Sequence, residues 1–319
     1  MLEVKNLYKS YGDFLALKGM DFIIPDNTIY GFVGPNGAGK TTTMKIISGL
    51  LRADTGDILL DGESMIHNMN ELKSKIGYMP DFFGVYDNLK VLEYMEFYAS
   101  LYGIDGVNAR KLCEELIELV NLKDKRNCYV DELSRGMKQR LCLARTMVHD
   151  PEILVLDEPA SGMDPRARIE MKDILKNLRD KGRTILISSH ILPELAELCN
   201  NIGIVEEGRM IISGSVTEIM DNYNMSNPLV IRFTGDRQRA MQVIKRNRYV
   251  ESVSILENSV FLTFAGKEEE EAELLTSIIA TGAKVNYYAR EEGNLESLFM
   301  KITEDDMGGM TEYENESGL

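Results

Sequence analysis

Leu133-Ser134-Arg135-Gly136-Met137-Lys138-Gln139 decides the fold of this chain because of what stands on either side of it. Upstream is Gly34-Pro35-Asn36-Gly37-Ala38-Gly39-Lys40-Thr41, and downstream is Ile153-Leu154-Val155-Leu156-Asp157-Glu158-Pro159. The first flank has the spacing G-x-x-x-x-G-K-[ST] of a phosphate-binding loop. The second is an apolar run whose length suits a buried strand, closed by two carboxylates. Many nucleotide-binding proteins own both flanks. A Ser-x-Gly element between them, just before a helical pattern, narrows the field to one mechanism.

The loop follows a strand pattern, Ile29–Val33, and precedes a helical one, Thr41–Leu51. From Gly34 through Pro35, Asn36, Gly37, Ala38 and Gly39, such a loop turns backbone N–H groups inward around phosphate oxygens. The helix start at Lys40, Thr41 and Thr42 adds positive potential. Lys40 can reach the β- and γ-phosphates, and the Thr41 hydroxyl can ligate Mg²⁺. Asp157 at the end of its strand can bind Mg²⁺ directly or through water, or it can simply cap the next helix. Glu158 beside it can polarise an attacking water. The phosphates of a nucleotide and Mg²⁺ are the ligands these residues lead us to expect.

Composition bounds the remaining choices. At 319 residues and 44% hydrophobic content, the chain has material for about two domains. No stretch approaches the ~18 consecutive apolar residues of a membrane span. Met1-Leu2-Glu3-Val4-Lys5 lacks the basic-then-apolar order of a secretory signal, so we expect a cytosolic chain that meets membrane through a partner. Cys113, Cys128, Cys142 and Cys199 form no C-x-x-C pair, and the 3 histidines have no zinc-site spacing. Net charge is −15, and residues 268–319, with 14 acidic and 3 basic side chains, contribute −11 of it. That balance disfavours nucleic acid and anionic lipid.

Strand patterns at Leu2–Leu7, Leu17–Ile24, Ile29–Val33 and Ile58–Leu60 precede a largely helical stretch from about Leu89 to Val148. Strands then return at Ile153–Leu156, Thr184–Ser188 and Ile202–Val205, with helical patterns at Arg166–Arg179 and Leu192–Leu198 between them. This alternation predicts a parallel sheet covered on both faces. A hairpin turn at Glu206–Arg209 leads to Met210–Ser213 and a short helix, Val216–Tyr223. A linker over Tyr223–Pro228 is followed by the order β-α-β-β-α-β, ending in a helix at Leu295–Ile302. That order predicts a small α+β ferredoxin-like domain. The acidic, glycine-bearing tail from Glu304 is expected to be disordered.

With these motifs in this order, residues 1 to about 220 resemble the ATPase subunit of an ATP-binding cassette transporter. The resemblance implies an α/β P-loop NTPase cassette: a RecA-like core, an antiparallel β subdomain, and a helical subdomain over about 88–148. The expected domains are 1–222 for the cassette, 223–303 for the ferredoxin-like domain and 304–319 for the tail. Leu133–Met137 is similar to the family's signature, usually Leu-Ser-Gly-Gly-Gln. By that resemblance the nucleotide is ATP, and Ser134 and Gly136 bind the γ-phosphate held by the opposite subunit, with Arg135 and Met137 as departures. Tyr11 stands where the family stacks a ring on adenine, and it also reads as a strand-end core tyrosine. Asp164 matches a loop contacting the opposite subunit, and Asp164-Pro165 is equally a normal helix start. His190, in Ser188-Ser189-His190, matches a histidine near the γ-phosphate.

The clearest departure is Ile76-Gly77-Tyr78-Met79-Pro80-Asp81. The family usually carries Gln at the position of Asp81, joining Mg²⁺ to the helical subdomain. Asp is an adequate but shorter oxygen ligand, bound directly, bridged by water or displaced. Leu295-Glu296-Ser297-Leu298-Phe299 resembles the end of an accessory domain on drug, antibiotic and ion exporter ATPases, for dimer support or for regulation. The resemblance therefore implies an exporter ATPase acting as a homodimer or heterodimer. It would attach to the cytoplasmic face of the membrane through a separate integral permease. A soluble cassette ATPase and a nucleotide-dependent regulatory module are the alternatives.

Overall fold

Irregular pairing, not strict alternation, shapes the first hairpin. β1 (Leu2–Tyr11) and β2 (Phe14–Ile24) pair antiparallel from Leu2↔Ile24 to Tyr11↔Phe14, with register shifts between Val4 and Leu7 and between Lys9 and Ser10. Both strands run further than the sequence pattern predicts. The polar outer half of β1 is held by Asp54, which accepts from Lys9 Nζ at 2.7 Å and from Ser10 N at 2.6 Å, and β2 is extended by pairing with β1 from Ser10↔Leu15 to Tyr11↔Phe14. The computed structural model describes residues 1–82, 84, 88–189, 195, 197–222, 228–256 and 259–290. His190, all of the linker expected over Tyr223–Pro228 but its last residue, the helix expected at Leu295–Ile302 and the tail lie outside those residues.

Two units divide the chain, Met1–Ser215 and Val216–Leu319. In the first, β3 (Ile29–Val33) leads to α1 (Lys40–Ile47), then β4 (Thr55–Leu60), β5 (Glu63–Ser64), α2 (Met69–Lys75) and β6 (Ile76–Met79). Next come α3 (Val91–Leu101), α4 (Gly106–Leu119), α5 (Arg135–Thr146), β7 (Ile153–Leu156) and α6 (Pro165–Asp180). β8 (Thr184–Ser189), β9 (Asn201–Glu206) and β10 (Arg209–Ser215) complete it.

The order β2-β1-β4-β5 makes a four-stranded sheet, and β10-β9-β3-β8-β7-β6 makes a six-stranded one. The larger sheet is parallel from β9 to β6, and only edge strand β10 is antiparallel. Every residue of β3, β7 and β8 is buried, as expected for parallel strands covered on both faces. One core cluster joins the two sheets through α1: Leu17 and Phe22, Tyr30 and Phe32, Met44 and Ile47, Val155 and Leu186. The two strands β5 and β6 flank α2, an element the sequence reading lacks, since only Leu72 of that helix is buried.

The helical stretch is tied together by two arginines, the half-buried Arg145 and the buried Arg140. Arg145 donates to the Tyr94 hydroxyl at 2.9 Å, and Arg140 donates to the Val120 carbonyl at 3.1 Å. Arg140 also pairs with Glu170 on α6 at 2.9 Å, and its own side chain is only 6% exposed.

In the second unit, α7 (Val216–Asn222) precedes β11 (Leu229–Thr234), α8 (Arg237–Arg246), β12 (Val250–Leu256), β13 (Ser259–Phe264), α9 (Glu268–Ala280) and β14 (Lys284–Arg290). The sheet order β12-β13-β11-β14 with all pairings antiparallel is that of a ferredoxin-like split βαβ unit. Leu229, Ile231 and Leu262 of the sheet pack with Ile244 of α8 and Leu274 and Ile278 of α9.

Candidate nucleotide site

Parallel strands place their C-terminal ends on one edge of a sheet, and ligands of open α/β sheets bind there. β3 ends at Val33, β7 at Leu156 and β8 at Ser189, so the glycine loop, the acidic pair and Ser188 converge on that edge. Gly39 makes the turn into α1 with φ of 101°, a conformation that costs glycine nothing and other residues a great deal. The side chain of Lys40, 7% exposed, folds back over the loop and donates from Nζ to the carbonyls of Gly34 at 2.6 Å and Pro35 at 3.1 Å. Burial lowers the Lys40 pKa, while the nearby Glu158 and Asp157 charges oppose that shift.

Asp157 lies 116 residues beyond Thr41, yet the Thr41 hydroxyl donates to its Oδ2 at 2.8 Å. Its other oxygen, Oδ1, accepts from Ser188 Oγ at 2.7 Å, and its backbone N–H is held by the Met79 carbonyl at 2.8 Å. Ser188 Oγ also accepts from the Glu158 N–H at 2.9 Å. Glu158 therefore leaves the strand end on a fixed backbone with φ of 51°. A glutamate there is strained by about 1–3 kcal/mol, a cost that persists only where the surroundings enforce it. Ser188, fully buried, braces both acids; the sequence reading used it only to locate His190.

An open cleft of about 270 Å³ follows from this arrangement. Asn36, Gly37, Gly39, Lys40, Thr41, Thr42, Asp157 and Glu158 line it, together with Tyr11, Phe14, Ala16 and Asp81. Tyr11 is half exposed at its rim, as an edge ring available for stacking and not as a core tyrosine. Asp81 is exposed just beyond the C-terminal end of β6, on the same sheet edge as Asp157. Gly34 and Ala38 are buried behind the loop, and Pro35 is exposed on it.

Ser134, Gly136 and Asp164 are absent from that lining. Ser134 caps α5, its Oγ accepting from Met137 N at 3.3 Å, and Asp164 caps α6, accepting from Ala167 N at 3.0 Å. Gly136 is buried where the two helix starts meet: a Cβ there would come within 2.8 Å of Ala167 Cβ. Arg135, the departure from the signature pattern, lays its guanidinium against Gly162, which turns with φ of 66° and has no room for a Cβ beneath that group. The phosphate cleft and this pair of capped helix starts are thus separate places on the chain.

The comparisons with known proteins agree with this geometry. Residues 17–161 match the family model described as ABC transporter. The linearmycin resistance ATP-binding protein LnrL of Bacillus subtilis is 31% identical over 307 residues, spanning 95% of this chain and 98% of its own length. The chain belongs to the ABC transporter ATP-binding family. The Nod factor export ATP-binding protein I of Burkholderia orbicola is 34% identical over 96% of this chain and 98% of its own. Among solved structures, an ATP-binding subunit of an ABC transporter superposes with a TM-score of 0.62 at 27% identity, covering 70% of this chain and 93% of that one. A dimeric bacterial ABC transporter cassette, MJ0796, gives 0.61 at 25% identity, over 68% and 99%. As a cassette of this family the chain is an ATP-binding, ATP-hydrolysing subunit, and ABC cassettes form dimers that work with membrane permeases. Among the described residues no helix is long and apolar enough to cross a membrane.

Proposed function

We propose that the chain powers an ABC exporter by closing on ATP with a second ATPase subunit, which is a second copy of itself or a close relative. The reading is carried by one observation: the phosphate loop and the Asp157 carboxylate, distant in sequence, meet at 2.8 Å across a cleft that also holds Lys40 and Glu158. Each cleft takes the triphosphate of one ATP, with Tyr11 against the base and the loop from Gly34 to Thr42 around the phosphates. The helix starts of the opposite subunit, at Ser134, Gly136 and Asp164, close over the γ-phosphate.

The donor set fits Mg²⁺. Thr41 and Asp157 supply hard oxygen ligands, and Asp81 faces the same cleft for a direct or water-bridged contact. Among the described residues no cluster of three His, Cys, Asp or Glu side chains can hold a metal, so phosphate and water oxygens complete its shell. Bound there, the ion neutralises phosphate charge. Glu158, set by its strained backbone and by Ser188, orients and deprotonates the attacking water, and His190 is assigned to the γ-phosphate.

Both relatives named above act in resistance or export, and we read this chain as an export subunit as well. It docks on the cytoplasmic face of the membrane through a separate integral permease, and a net charge of −15 gives it no footing on nucleic acid. The second unit supports the dimer or regulates it. Replacing Glu158 with Gln tests the scheme. Turnover should fall about 10²–10⁴-fold, while ATP binding persists and an ATP-dependent dimer accumulates in size-exclusion chromatography. Undiminished turnover would overturn the role of Glu158, and a monomer at saturating ATP would overturn the paired site.

A further inference from the structure

Tyr78 carries a hydroxyl that nothing in the cleft yet uses. It lies on β6 beside Val155 of β7, and alternate residues of a strand share a face. Tyr78, Val155 and Asp157 therefore project toward α1, the face on which Asp157 meets Thr41. The ring packs on the core beneath that helix, and the phenol oxygen, fully buried, has no hydrogen-bond partner among the described residues. Burial first, then the negative charges of Asp157 and Asp81, push the phenol pKa upward. The group is consequently a donor at every working pH, and two of the three carboxylates of the cleft, Asp157 and Asp81, act on it.

An orphaned buried hydroxyl destabilises a fold, whereas phenylalanine at the same place would pack as well without that penalty. Such a hydroxyl is explained when another state of the molecule gives it an acceptor. Asp157 already accepts one hydroxyl on each oxygen, from Thr41 and from Ser188, and so has less acceptor capacity to spare than a carboxylate with none. Asp81 is the open one. It follows Tyr78 closely on the same strand end, it lines the cleft, and no hydrogen bond to its side chain is found among the described residues.

We propose that Tyr78 is a positioning residue for the Mg²⁺–ATP state: its hydroxyl donates to Asp81 and holds that short carboxylate at the metal side of the cleft. The inference rests on the reading of the cleft as a Mg²⁺–ATP site. It gives β6 a part in sensing the bound nucleotide, since a move of Asp81 is then felt by a ring embedded in the core under α1.

The experiment is calorimetric titration of the full chain with ATP, in Mg²⁺ and in EDTA, for the wild type, Tyr78→Phe, Asp81→Asn and the double variant. Loss of a hydrogen bond to a charged group predicts about a tenfold weaker affinity for Tyr78→Phe in Mg²⁺ and a change within about twofold in EDTA. The double variant should lose no more than the weaker single one. Unchanged affinity of Tyr78→Phe in Mg²⁺ would overturn the inference and leave the nucleotide site standing. Equal losses in Mg²⁺ and EDTA would show a packing role and overturn it too, as would additive losses in the double variant. A wild type that binds ATP in neither medium would overturn this inference together with the reading beneath it.

Discussion

The two sheets that dominate the two units handle burial in opposite ways. In the first unit, β7 is buried at all of its positions and ends in Asp157, 2% exposed, and a strained Glu158. In the second, β13 alternates buried and half-buried residues, and β14 is half exposed along its length. A sheet covered on both faces leaves polar groups only its strand ends, and there they are clamped by neighbours such as Ser188. A sheet with one solvated face leaves its polar groups at or near the surface, where they pair with one another, as Ser252 does with Thr263 at 2.7 Å. Its titratable side chains, such as Arg290 beside Glu271, pair at the surface. Chemistry needing a carboxylate in one position belongs on the first kind of sheet.

That contrast can be broken most directly at Ser188. Ser188→Ala removes the acceptor of the Glu158 N–H and one donor to Asp157, and it should cost about 1–3 kcal/mol in urea unfolding. It should also reduce ATP turnover about tenfold, measured by phosphate release. If turnover is unaffected, the strand end is not braced in the way its geometry indicates. Gly162→Ala comes next. A methyl group there meets both an unfavourable φ and the Arg135 guanidinium, so stability should drop by about 1 kcal/mol or more and turnover about threefold. Arg135→Gly in the same chain should restore the steric part, seen as a smaller unfolding penalty than additivity predicts. The smallest effect on chemistry is expected from Leu262→Ala in the second unit. Its core loss of about 2–5 kcal/mol should unfold that unit earlier in a thermal scan. ATP turnover should stay within about twofold, and a large fall in turnover would erase the contrast between the sheets.

The parts of the site that sequence makes legible are those with obligate residue types. Gly34 to Thr41 has to be glycine-rich, and Ile153 to Leu156 has to be apolar, because backbone must approach phosphate in one and both faces are covered in the other. The strand edge that joins them is legible for the same reason. Less legible are features whose residues have several uses. Tyr78 in a strand reads as core, and only the placement of its oxygen marks it. Ser188 is ordinary until it is found between two acids. β5, with only Glu63 and Ser64, carries no periodicity at all, and α2 is too short and too polar for a helical stripe. The polar β1 extension escapes notice because Asp54, distant in sequence, supplies its partner, and the β2 extension follows from pairing with it. The Arg135 departure is visible as a substitution, but its seat on Gly162 belongs to the tertiary structure.

Lys40 has a consequence for how nucleotide arrives. Its ammonium closes the loop on the Gly34 and Pro35 carbonyls, so the loop carries an internal tie that needs no phosphate as partner. An entering phosphate then exchanges partners with a finished socket instead of recruiting a coil, much as one ligand replaces another on a rigid support. Association of this kind carries little ordering entropy and a small heat-capacity change, and its speed is set by encounter more than by folding. The slow, shape-changing work of the cycle is left to subunit closure.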